Sequence, residues 1–73
     1  MNFEKISIKE DFIRLDSAMK LADMVVTGGH AKILILEGEV KVNGEVCTAR
    51  GKKIRPSDTV LVENTEIKVE TKN

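Results

Sequence analysis

The sequence predicts an α+β fold in which two helices pack on a small antiparallel sheet, and three observations carry that expectation. Apolar residues recur at helical spacing from Leu15 to Val25, and again from Ala31 to Ile35. Strand-like alternation flanks these stretches, with Ile6 and Ile8 before them and Val40 and Val42 after. The pair Asn43-Gly44 is then the preferred chemistry of a two-residue hairpin turn, because both positions tolerate positive φ.

Taken in order, the chain opens with a short strand in which Ile6 and Ile8 share one face. Leu15, Ala18, Met19, Ala22 and Val25 fall on one stripe of a first helix, roughly Leu15 to Met24, with Asp16, Lys20 and Asp23 on the opposite side. Thr27-Gly28-Gly29 interrupts the pattern. Thr27 suits an N-cap, and a second helix follows, roughly Gly29 to Glu37, with Leu34 as its core contact and Gly38 as its stop. The run Ile33-Leu34-Ile35-Leu36 also has strand character, and the flanking cap and stop decide for helix. Val40 to Val42 and Glu45 to Cys47 form the hairpin. Beyond a basic loop, Thr59 to Glu63 and Glu66 to Glu70 are two further strands, with Asn64-Thr65 as the turn between them.

Composition bounds what such a chain can do. Seventy-three residues make one domain, residues 1–73, which buries only about 60% of its unfolded surface. Apolar and charged fractions of 41% and 33% are those of a folded chain rather than a disordered one. The lone Cys47 can form no internal disulfide and cannot by itself build a zinc site, so packing alone must hold the core, with no metal and no cofactor expected. No apolar run approaches the roughly 18 residues of a membrane span. Met1 to Glu10 also lacks the pattern of a signal peptide, so a cytoplasmic protein is expected.

Net charge is zero, but it is unevenly placed. Lys32 to Arg55 carries six basic against three acidic residues, whereas Pro56 to Asn73 carries two against four. Arg50, Lys52, Lys53 and Arg55 are the densest group, and such a patch creates a local positive field even on a neutral chain. Gly28 and Gly29 cost helix stability, which points either to a turn needing positive φ or to something approaching the backbone closely. In the second case the amides of Gly28, Gly29 and His30 would be the free donors of a helix N-terminus, an anion site to which His30 and Lys32 add donors. An enzyme is not expected. One His and one Cys, with no orienting partner implied for either, fall short of acid–base or nucleophilic catalysis, and no phosphate-loop motif is present.

At this point several segments, read together, resemble a known family. Arg14-Leu15-Asp16, Thr27-Gly28-Gly29-His30-Ala31-Lys32, Glu37 to Gly44, Arg50-Gly51-Lys52-Lys53-Ile54 and Pro56 to Val60 follow one another in the order and spacing of the RNA-binding domain named after small-subunit ribosomal protein S-four. The likeness is to its short stand-alone bacterial form, the YaaA/YbcJ-like members, and covers a core of about 14–62 with extra strands at both ends. The family has glycine where this chain has Ser57 before Asp58, which leaves the backbone of that turn open.

The resemblance implies binding of structured RNA, rRNA or tRNA-like, in a ribosome-associated role, on a face made by the second helix and the hairpin. The residues expected there are Arg14, Gly28, Gly29, His30, Lys32, Lys41, Asn43, Arg50, Lys52, Lys53 and Arg55. With two Phe and neither Tyr nor Trp, the chain lacks the aromatic platform used to stack single-stranded bases, so phosphate and shape contacts to a monomer are expected. The alternative is a protein-interaction adaptor that touches no nucleic acid, with a ribosomal or other protein as partner.

Overall fold

The computed structural model describes residues 2–72. Strands β1 (Asn2–Ile8), β2 (Ile13–Arg14), β3 (Val40–Val42), β4 (Glu45–Val46), β5 (Lys53–Ile54), β6 (Thr59–Val62) and β7 (Thr65–Thr71) accompany helices α1 (Leu15–Leu21) and α2 (Gly28–Leu36). A five-stranded sheet has the order β1-β7-β6-β3-β4, and β2 pairs with β5 in a separate two-stranded ribbon. The helices pack on each other and bury their apolar faces against one side of the sheet.

The expected antiparallel sheet is in fact mixed, because β1 runs parallel to β7 along their whole length, from Asn2 opposite Thr65 to Ile8 opposite Thr71. Parallel pairing needs a crossover, and here both helices and the hairpin lie between the two strands. The core is one continuous cluster. Ile6, Ile8, Leu15, Ala18, Met19, Ile35, Val40, Ile54, Val60, Val62, Ile67 and Val69 belong to it. Alternation in β3, β6 and β7 turns every second residue inward, which leaves Lys41, Leu61, Glu66 and Lys68 on the outer face.

Both helices end in the same hydrogen-bonded motif. In α1 the amides of Asp23 and Met24 reach back to Lys20 and Met19 carbonyls, with Asp23 at φ 60. In α2 the amides of Gly38 and Glu39 reach Ile35 and Leu34, with Gly38 at φ 80. The left-handed residue at Asp23 ends the first helix at Leu21, short of the expected Met24. Asp16 is also not on the solvent side; its side chain is only 13% exposed. In α2 the fully buried residues are Ala31 and Ile35, and Leu34 is only partly buried, so Ile35 takes the role expected of Leu34.

Asn43 and Gly44 have φ of 52 and 87, as a primed hairpin turn requires. The second hairpin turns one residue earlier than expected, at Glu63-Asn64, with Glu63 at φ 54. Thr65 is consequently a buried strand residue paired with Val62.

Candidate nucleic-acid interface

The basic segment is not a free loop, because its backbone caps α1. Arg14, the N-cap residue, makes no side-chain cap, and the first amides of the helix are met instead by carbonyls from the segment. Leu15 N–H donates to Lys52 O at 2.8 Å and Asp16 N–H to Arg50 O at 3.1 Å. The ladder continues the attachment, with Ile13 opposite Ile54 and Arg14 opposite Lys53. Ile54 is wholly buried and anchors the strand, while Lys52 and Lys53 stay exposed.

Asp16 organises two of the cations. Its Oδ2 lies 3.2 Å from an Arg14 terminal nitrogen and 3.8 Å from Arg50 Nε, while its Oδ1 accepts from Ser17 N–H at 2.8 Å. The two arginine side chains remain about half exposed, at 54% and 49%, over a nearly covered carboxylate. Such exposed pairs contribute only about 0–1 kcal/mol, so their effect is to fix where two guanidinium groups stand. The Lys53 ammonium lies over the Phe12 ring, 4.8 Å from its centroid.

A second group surrounds Asp58. One of its oxygens accepts Arg55 N–H at 2.8 Å, and the other accepts the Asn43 side-chain amide at 3.0 Å. Asn43 Oδ1 in turn accepts Thr59 N–H at 2.9 Å. The Asp58 carboxyl is held below its usual range, first by the Arg55 backbone N–H, then by Asn43, with the charges of Lys52 and Arg55 assisting against the opposing effect of burial. The turn needs no positive φ at Ser57, so serine is accommodated where the family has glycine.

The start of α2 removes one of the two explanations for its glycines. Thr27 does cap the helix, its Oγ1 accepting His30 N–H at 3.1 Å, so His30 is not a free donor. Gly28 and Gly29 are helical with no positive φ, which removes the turn explanation. A Cβ on Gly28 would meet nothing within 4 Å, and one on Gly29 only Thr27 Oγ1 at 3.8 Å. Nothing inside the described chain requires glycine at either position.

The expected residues therefore fall into distinct places. Arg14, Arg50, Lys52 and Lys53 are gathered over the start of α1, and Arg55 and Asn43 adjoin them at the Asp58 turn. Gly28, Gly29, His30 and Lys32 lie at the start of α2, and no hydrogen bond or ion pair among the described residues joins them to the basic segment. Lys41 is exposed between the inward Val40 and Val42, on the sheet face away from the helices. Asp16, Asp58 and Phe12 were not singled out from the sequence. Cys47 Sγ donates to Ala49 O at 3.6 Å, and no cluster of three metal-ligating side chains occurs among the described residues. No helix among them is long and apolar enough to cross a membrane.

Two helices on a mixed sheet, with a basic ribbon sealed onto the first helix, define a small α+β binding module. The family described as S4 domain matches residues 6–70, and the chain belongs to that family. It is similar to the probable ribosome maturation protein RlbA of Bacillus subtilis (strain 168). The two are 43% identical over 58 residues, covering 80% of this chain and 82% of that protein.

Proposed function

We propose that this chain is a single, monomeric, non-catalytic module that binds structured RNA, ribosomal or tRNA-like, by phosphate and shape contacts in the cytoplasm. Its place in the cell is ribosome maturation, the role for which its Bacillus subtilis relative is named. The carrying observation is the pairing of Arg14 directly opposite Lys53 across β2 and β5. Asp16 is shared between Arg14 and Arg50, and Lys53 has no ion-pair partner among the described residues, so the ribbon keeps an excess of positive charge that suits RNA phosphate. Arg50, Lys52 and Arg55 extend the same field, and the amides of Gly28 and Gly29 at the start of α2 add a second phosphate position. Lys32 and His30 flank that position.

Titrating the protein with a structured rRNA fragment at several salt concentrations tests the reading. Affinity that falls steeply with salt is expected, and salt-independent or absent binding overturns it. A protein partner is the second reading, favoured by Ile33 and Leu36, which α2 leaves 55% and 61% exposed on its outer side. Such an interface would respond little to salt.

A further inference from the structure

We propose that Phe12 and the depression beside it receive one unpaired nucleobase, so that the protein selects an RNA duplex interrupted by a bulged or junction nucleotide. This rests on the RNA-binding reading above and names its substrate more closely.

Phe12 directly precedes β2, in which Ile13 packs against the core and Arg14 is exposed. Lys53 faces Arg14, which makes it the diagonal neighbour of Phe12 and explains how its ammonium reaches the ring. An aromatic side chain 37% exposed is thereby set among cations on the outer side of the basic ribbon.

Phe12 also lines a depression of about 280 Å³, with Ile8, Ile13 and the exposed Leu21 as its apolar walls. Lys9 and Lys72 stand at this depression and Glu10 is its one acidic lining residue, while Lys53 does not line it. The volume lies just below the roughly 300–1,000 Å³ of sites for drug-sized ligands, which suits a single ring system. An aliphatic side chain from a protein would use the apolar walls but not the surrounding ammonium groups. A base with its flanking phosphates uses both. Binders of single strands stack successive bases on several aromatics, whereas one ring beside a phosphate-binding ribbon fits one base standing out from a duplex.

The test uses the full chain and two RNA hairpins that differ only by a single bulged nucleotide. The bulged hairpin is expected to bind at least about fivefold tighter, the low end for one base–aromatic stack. Phe12→Leu should erase that preference, so that the variant binds the two hairpins equally, and Phe12→Tyr should keep it. The Phe12 ring-proton resonances of the unmodified protein should move further with the bulged hairpin than with the other, a readout that does not depend on any variant folding. Equal binding of the two hairpins, a preference that survives in Phe12→Leu, or a ring that moves no further with the bulged hairpin overturns the inference while the RNA-binding reading stands. Binding of neither hairpin at low salt overturns both.

Discussion

Asn43 and Asp58 are 15 residues apart in the chain and joined by a 3.0 Å hydrogen bond between their side chains. Through it the tip of the β3–β4 hairpin is tied to the turn that ends the basic segment. The same asparagine takes the first amide of β6, and Asp58 takes the amide of Arg55, so two polar side chains set the angle between hairpin, turn and strand. Asn43 also occupies a left-handed position, which asparagine tolerates better than most residues.

Asn43→Ala loses both side-chain hydrogen bonds and strains the turn, and should destabilise the protein by about 1–3 kcal/mol in urea melts. Asn43→Asp at neutral pH should be worse than its shape suggests, since a second carboxylate would face Asp58. A cost below roughly half a kcal/mol for Asn43→Ala would show that the latch is not formed in solution.

Asp58 makes the latch pH-dependent. Its folded pKa is depressed, so the contribution is fully present above the unfolded carboxyl value, about 3.9, and is lost as pH falls through the folded value. Urea melts between pH 6 and 2 should show stability declining in the acid range, and Asp58→Asn should make that decline shallower. An unchanged profile in Asp58→Asn would assign the acid sensitivity to other carboxylates.

The helix stripes, the Gly38 stop and the Asn43-Gly44 turn were legible because each depends on neighbours within a few residues. The ribbon of β2 and β5 was not, since two-residue strands have no period to read and their pairing joins positions 13–14 to 53–54. For the same reason the basic residues were visible as a cluster, but not their attachment to α1 or the part played by Asp16. The parallel pairing of β1 with β7 is equally non-local. Leu34 and Ile35 are adjacent in an apolar run, and only the packing of α2 on α1 selects which points inward.

That selection has a measurable consequence. Ile35→Ala should cost about 2–5 kcal/mol, because Ile35 is fully buried, while Leu34→Ala at the margin of the core should cost less. A larger loss for Leu34→Ala would mean that α2 is rotated from the orientation described.

Gly28 and Gly29 offer a separation of stability from binding. Both are helical with room for a Cβ, so Gly28→Ala and Gly29→Ala should stabilise the fold by up to about 1 kcal/mol each. If RNA phosphate approaches the backbone there, the same substitutions should weaken RNA binding. Greater stability with unchanged RNA affinity would remove the start of α2 from the interface and leave the basic ribbon as the whole of it.

The ribbon itself is tested through salt. If it meets about four phosphates, log affinity should fall with log salt at a slope of roughly −3 to −4, given about 0.7–0.9 counterions released per contact. Replacing Lys52 and Lys53 together with Glu should flatten that slope by about two and weaken all structured RNAs alike, because phosphate contacts position without reading sequence. Both side chains are exposed, and Glu at position 53 would face Arg14 as an opposite charge, so folding should survive. Lys68→Glu, on the outer sheet face, is the control and should leave affinity and slope near their original values. Wild-type affinity and slope in the folded double variant would show that the ribbon's charges do not meet RNA, and would turn attention to the exposed Ile33 and Leu36 of α2 as a protein contact.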